Sequence, residues 1–504
     1  MLARVRSATL RGIEAAFVSV EVDVVSGLPS FTTVGLPDST VRESRDRIRA
    51  AIRNAGFEFP LERITVSLAP ADLRKEGPAL DLPMALGLLA AMGLVKKEAL
   101  ERCLVLGEIS LDGGIRPVRG VLPVALLCRR ERVPSLLVPA DNALEAATVG
   151  GTDVIPLASI HEAVEYLNGE RDVAPARPLA SHPAPPADEA DFADVRGQAH
   201  AKRALEIAAA GGHNVIMVGP PGVGKTMLAR RLPGILPPPS LEEAIEASVI
   251  WSVAGLLPRD RGLLAAPPFR APHHTVSDAG LIGGGSVPHP GEVSLAHTGV
   301  LFMDELPEFS PRVLEALRQP LEEAAVTVAR AAGTATFPAR FQLVAAANPC
   351  RRGCPSVGGC ACTPAERARY LGRISRPLLD RIDLHLELPA VTYADLRADV
   401  SGEPSAAIRA RVVAARERQA KRFTGTGTRV NARMTSRQLR RWCAIPPEGS
   451  HLLGLAASRL GLSARAYHRI LKVARTIADL EECESISADH LSEAIQYRGL
   501  DRGF

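Results

Sequence analysis

Along residues 17–25 (FVSVEVDVV) apolar and polar positions alternate without a break. Val18, Val20, Val22 and Val24 share one face and Ser19, Glu21 and Asp23 the other, which predicts a half-buried strand. The period then changes. Val41, Ile48, Ala51 and Ile52 recur at helical spacing behind Asp38, a side chain able to cap a helix, and Gly56 stands where that helix should stop. Further strands are predicted at 63–68 and 104–109, with a helix starting at Asp81 between them. The apolar run 82–95 is too short to span a bilayer and reads as a buried helix. These elements make a mixed α/β region ending near Leu167.

Residues 169–191 hold Pro175, Pro178, Pro183, Pro185 and Pro186 among alanines and charges; such a segment cannot build a core and reads as a semi-rigid linker. A helix is predicted at 199–209, after Val195-Arg196-Gly197-Gln198. Apolar Val215, Ile216, Met217 and Val218 then break into Gly219-Pro220-Pro221-Gly222-Val223-Gly224, and Lys225-Thr226-Met227 opens a helical stretch. Two further apolar runs, 299–303 and 341–347, read as buried strands ending on Asp304-Glu305 and on Asn348. Near the C-terminus a helix opening at 463–465 runs to Leu480, with Tyr467, Ile470, Leu471, Ala474 and Ile477 as its apolar stripe.

Composition refines this only at the edges. A chain of 504 residues, 46% hydrophobic, exceeds one compact core and predicts two or three domains. A net charge of +4 decides nothing about partners. Residues 1–17 hold no continuous apolar segment, so no secretory signal is predicted and a cytoplasmic, membrane-free location is expected. Eight cysteines in so long a chain do not make a disulfide framework.

The strand, glycine loop and helix at 214–226 have the GxxxxGKT spacing of a phosphate-binding loop. Glycines let backbone amides curl around phosphate oxygens, the helix N-terminus adds its dipole, Lys225 can reach the terminal phosphates and the Thr226 hydroxyl can hold Mg2+. The expected nucleotide contacts are Gly219 through Met227, and the expected cofactors are ATP and Mg2+. Asp304 fits the magnesium shell, Glu305 can polarise an attacking water, and Asn348 fits a side chain orienting that water or the γ-phosphate.

Two segments resemble the Lon protease domain: Lys75-Glu76-Gly77-Pro78-Ala79, and residues 107–113 followed by Pro117 and Gly120. By that match Ala79 occupies the nucleophile's position and Leu122 the lysine's, so a Ser-Lys dyad is absent. Residues 192–210 resemble the adenine-pocket region of AAA+ ATPases. Leu378-Leu379-Asp380-Arg381-Ile382-Asp383 places Arg381 where magnesium chelatases and MCM helicases carry an arginine finger, and Arg465 resembles a sensor-2 arginine, with Arg469 the competing choice one turn on. Phe269-Arg270-Ala271-Pro272-His273-His274-Thr275, Arg318-Gln319-Pro320-Leu321-Glu322 and Asn348-Pro349-Cys350 extend the likeness to magnesium-chelatase-like AAA+ proteins of the YifB/ComM family over nearly the whole chain.

That resemblance implies an α/β multidomain protein. Residues 1–168 would form an inactive Lon-like (ribosomal S5 domain 2-like) domain, 169–191 a linker, 192–390 a P-loop AAA+ αβα sandwich and 391–504 a basic helical lid. It further implies a homo-hexameric ATPase that moves along DNA and promotes branch migration during recombination, as in natural transformation, alongside recombination proteins. Rival readings are the motor subunit of a metal chelatase and a regulatory ATPase that remodels proteins. Candidate pore elements are the glycine-rich stretch 283–291 and a hairpin at 326–335 bearing Arg330. His273 and His274 read as packing residues rather than metal ligands, having no adjacent CxxC or carboxylate.

Cys350, Cys354, Cys360 and Cys362, spaced Cx3Cx5CxC, can surround one tetrahedral Zn2+; free thiols or a redox pair are the other reading. Between 409 and 441, eleven Lys or Arg accompany one acidic residue, Glu417, a pattern that suits a polyanion such as DNA.

Overall fold

The structure, a computed structural model, describes residues 1–178, 190–285, 287–330, 333–354, 360–390 and 402–502. The N-terminal region is built on the hairpin β1 (Leu2–Arg11) and β2 (Glu14–Val25), with Val18, Val20, Val22 and Val24 buried as the alternation requires. There follow β3 (Ser30–Val34), α1 (Ser39–Asn54), β4 (Arg63–Ala69), α2 (Asp81–Ala91), β5 (Cys103–Val105), α3 (Val121–Arg130), β6 (Ser135–Pro139) and β7 (Asp153–Leu157). The sheet order is β3-β4-β2-β1-β5-β6-β7, antiparallel from β4 through β1 and parallel elsewhere.

Asp38 caps α1 by accepting from the Val41 amide at 2.7 Å, and its second oxygen accepts from Gly77 at 3.1 Å. After its first residue, Asp81, helix α2 is apolar all round and buried on every face. The strand expected at 104–109 is broken: the Gly107 amide donates to the Ala79 carbonyl, and Glu108–Ile109 pairs with Ile115–Arg116 instead. Gly107 lies so close to Leu82 and Ile115 that a Cβ there would stand 3.1 Å from both side chains.

The central region contains α4 (Ala199–Gly211), β8 (Val215–Val218), α5 (Lys225–Ile235), α6 (Leu241–Ala254), β9 (Phe269–Arg270), β10 (Val300–Met303), the hairpin β11 (Ala325–Arg330) and β12 (Gly333–Pro338), β13 (Gln342–Ala347) and β14 (Leu384–Glu387). Its sheet runs β9-β10-β13-β8-β14, all parallel, and β8, β10 and β13 are buried throughout. Because β13 lies between β8 and β10, whatever follows these three strands converges at one edge of the sheet.

Helices α7 (Ser405–Arg422), α8 (Ser436–Trp442), α9 (Ala464–Leu480) and α10 (Ala488–Gln496) close the fold. Ile408, Val412, Ile470, Ala474 and Leu491 pack into one buried cluster with Val215, Met217 and Leu384, so these helices share the sheet's core. Pro183, Pro185 and Pro186 of the expected linker, and the expected lid boundary at 390/391, lie outside the described residues or at their edge.

The N-terminal region is docked on α6. Ala244 and Val249 of α6, with Leu263, join the cluster of Leu122, Val124 and Leu136. The Leu122 amide donates to Glu145 at 3.0 Å and to Ser252 at 3.4 Å, and the Ser252 hydroxyl donates to the same carboxylate. The position where the Lon resemblance would put a catalytic lysine is therefore sealed inside a seam with the central region. The β1–β2 turn also lies beside β12: a Cβ on Gly12 would stand 3.1 Å from the Ala335 side chain.

Burial lowers the pKa of His213, His297 and His385. In the unfolded chain each binds a proton below about 6.5. Their folded values being depressed, the stability they contribute is fully present above about 6.5 and is lost as pH falls below it. The expected result is a melting temperature several degrees lower at pH 5 than at pH 7, a fall made smaller by His213→Gln.

Candidate active site

The loop after β8 carries its glycines where side chains are excluded. A Cβ on Gly219 would stand 2.7 Å from the Leu388 carbonyl oxygen, and Gly224, at φ +91°, caps the N-terminus of α5 from the left-handed region. Lys225 Nζ donates to the carbonyls of Gly219 at 2.7 Å and Pro220 at 2.8 Å, and to Asn348 Oδ1 at 3.0 Å. Burial lowers the Lys225 pKa while Asp304 and Glu305 oppose that shift. Thr226 Oγ1 donates to Asp304 Oδ2 at 2.7 Å, and Met227 lies partly exposed on the next helical position. A hydroxyl and a carboxylate this close make an oxygen pair that fits a hard divalent cation.

Glu305 follows in the left-handed region at φ +52°, its side chain half exposed. His274 Nδ1 lies 3.7 Å from its carboxylate and packs edge-on to Phe309, while the His273 and His274 rings contact each other at 4.1 Å. Both histidines thus pack and bond within the fold. Sequence reasoning did not connect His274 to Glu305, because the contact joins residues 31 apart. Beside the loop, a cavity of about 220 Å³ is lined by Gln198, His200, Leu388 and Pro389, in the region that resembles an adenine pocket.

Arg381 lies at the opposite edge of the sheet. It precedes β14, whereas the loop follows β8, paired in parallel with β14; a four-residue strand is about 13 Å long, too far for Arg381 to serve the Lys225 site of its own chain. Arg381 is buried; its Nη2 pairs with Glu322, Nη1 donates to the Pro377 carbonyl at 2.5 Å, and Nε has no hydrogen-bond partner among the described residues. Its acidic contact is thus Glu322, not Asp380 or Asp383. Arg465 Nη2 stands 3.5 Å from the same Glu322, while Arg469 is tied to buried Asp383. Arg465 therefore belongs with Arg381, and Glu322, which carried no role in the sequence reading, joins the two.

The sulfurs of Cys350, Cys354, Cys360 and Cys362 lie within 4.8 Å of one another. Four sulfurs around Zn2+ at about 2.3 Å need separations of about 3.8 Å, so this donor set fits one tetrahedral ion. All four are free thiols. Burial raises the Cys350 thiol, but hydrogen bonds from Cys354 and its neighbours outweigh it and bring the pKa down to about 7. A Cβ on Gly353 would stand 3.1 Å from the Pro221 ring, so the backbone between Cys350 and Cys354 lies beside the phosphate loop.

The basic run 409–441 is less available than its sequence suggests. Arg411 pairs with Glu206 and Glu403, Arg418 with Glu482, Arg422 with Asp479 and Arg429 with Glu243; Arg409, Arg416 and Arg433 donate to carbonyls. The acidic partners absent from the run are supplied by distant segments. Lys421, Arg437, Arg440 and Arg441 stay exposed, with Arg441 over the Trp442 ring at 4.6 Å.

A parallel sheet in this order, with a phosphate loop after β8, paired carboxylates after β10 and an asparagine after β13, defines a AAA+ ATPase. Family models described as magnesium chelatase, subunit ChlI, match residues 191–396, with companion models for subunit ChlI at 20–142 and its C-terminal part at 402–498. The chain is 45% identical to the uncharacterized protein YifB of Salmonella typhimurium, over 99% of this chain and 98% of that protein. It is 44% identical to the competence protein ComM of Haemophilus influenzae, again over 99% and 98%. Lon protease 2 of Bacillus subtilis matches 32% of this chain at 33% identity. The chain belongs to the YifB/ComM family of magnesium-chelatase-like AAA+ ATPases. Among the described residues no helix is long and apolar enough to cross a membrane.

Proposed function

We propose that the chain is a hexameric DNA translocase that uses ATP hydrolysis between subunits to drive branch migration of recombination intermediates. The observation that carries this reading is the meeting of two projecting elements. Arg330, at the end of β11, reaches within 3.2 Å of the Cβ position of Gly284, in a glycine turn whose backbone pairs with His289–Pro290. This puts an exposed cation without a carboxylate contact among the described residues beside the exposed Gly285, a surface suited to a phosphodiester chain. The competence protein ComM among the relatives supports the same reading.

In this reading Lys225 and the loop amides hold the ATP phosphates, and Thr226 with Asp304 would hold Mg2+, which neutralises charge on the phosphate oxygens. Glu305 orients and deprotonates the attacking water, Asn348 aligns it, and Arg381 with Arg465 reaches the nucleotide of the adjacent subunit. Incubated with a four-way DNA intermediate and ATP, the protein is expected to convert it to exchanged products, and Lys225→Ala to leave it unchanged; absence of migration with the unaltered protein would defeat the proposal. The family models named for magnesium chelatase favour a second reading, a chelatase motor, whose sign would be ATPase activity raised by a porphyrin and not by DNA.

The cysteine cluster is assigned to a structural Zn2+. About one zinc per chain is expected by elemental analysis, falling to background in a Cys350→Ser, Cys362→Ser double variant. Zinc retained by that variant would overturn the assignment.

A further inference from the structure

At the edge of the central sheet opposite Lys225, a cavity of about 350 Å³ opens between the N-terminal ends of the strands and the C-terminal helices. Gly212, Gly299 and Gln342 mark the strand ends in its wall, and Arg340, Arg416, Arg429 and Arg433 line it, with Glu243 the one acidic lining residue. Arg429 pairs with Glu243 at 2.8 Å, and Arg340 pairs with Glu246, which also accepts from His297. Those two cations are balanced.

Arg416 and Arg433 are not. Arg416 donates twice to the Ala209 carbonyl near the end of α4, and Arg433 to the Leu321 carbonyl in the helix Arg318–Glu323; neither has a carboxylate contact among the described residues. A helix C-terminus offers about half a unit of negative charge, so two such ends offset about one of the two guanidinium charges. Both side chains are half-buried; a cation partly withdrawn from water without a counter-ion in contact is costly, and burial brings the Arg416 pKa down to about 10 and lowers that of Arg433. An anion in the cavity would remove that cost. Guanidinium groups match the tetrahedral oxygens of phosphate through paired N–H donors, and the volume falls in the range of small-molecule sites.

We propose that this cavity is a second anion site, taking a di- or triphosphate group, free or carried by a nucleoside, with Arg416 and Arg433 as its principal donors. It is separated from the Lys225 site by the depth of the sheet and does not depend on the DNA reading.

Full-length Lys225→Ala protein, in which the phosphate loop is disabled, isolates the cavity. Titrated calorimetrically with inorganic pyrophosphate and, separately, with ATP, it is expected to bind one equivalent per chain, and adding Arg416→Gln and Arg433→Gln should weaken binding at least tenfold. No binding by the Lys225→Ala protein, or equal binding by the triple variant, overturns the site. Because the added substitutions could unfold the chain, phenylglyoxal labelling of Lys225→Ala protein, mapped by mass spectrometry, supplies an independent reading. Protection of Arg416 and Arg433 by pyrophosphate supports the proposal, protection by ATP alone assigns the phosphates to a nucleoside carrier, and protection by an oligonucleotide but neither small anion overturns it.

Discussion

Lys225→Ala is expected to lower ATP turnover by about 100-fold or more, the loss typical when one preorganised electrostatic donor is removed from a reacting group. The ammonium lies where the loop carbonyls of Gly219 and Pro220 and the Asn348 side chain meet, so its removal takes away positive charge and a link between the phosphate loop and β13. Steady-state phosphate release measures the effect. A structural role alone would reduce turnover and melting temperature together; the site described here predicts lost turnover with the fold retained. Turnover within threefold of the unaltered protein would remove Lys225 from the phosphate site.

Arg381→Ala is expected to bind ATP normally and to hydrolyse it about 1,000-fold more slowly, the scale associated with an arginine supplied across an interface. The distance across the sheet makes the prediction specific to the assembly. In mixtures, an Arg381→Ala subunit offers an intact phosphate loop and a Lys225→Ala subunit offers an intact arginine, so together they should recover part of the activity that neither has alone. An arginine serving only as the ion pair with Glu322 would show no such recovery. Normal hydrolysis by Arg381→Ala would return the residue to that structural role.

Several parts of this site were legible from the sequence because they are local. A phosphate loop is a strand, a turn and a helix start within thirteen residues, and its glycines, lysine and threonine are fixed by backbone geometry that needs no distant partner. The same holds for carboxylates at the end of an apolar strand and for Asp38 at a helix start. The broken strand at 104–109 was not legible, since its break depends on Gly107 meeting Ala79 and Leu82.

Charge was the property that sequence spacing described least well. A run of eleven cations with one acid reads as a free polyanion surface, yet Glu206, Glu403, Glu482, Asp479 and Glu243 pair with four of them from outside the run, and three more donate to carbonyls. Glu322 joins Arg381 and Arg465 across 143 residues of sequence, counted from 322 to 465.

By itself, then, the sequence determined the nucleotide-binding chemistry, the strands that carry it and the four cysteines as one group, all set by short-range spacing and hydrophobic period. Only the tertiary structure decided which charges are neutralised, which arginines stand together at the far edge of the sheet, and that the Lon-like region is sealed against α6. Coulomb and packing interactions act through space, so their partners are fixed by the folded chain and not by distance along it.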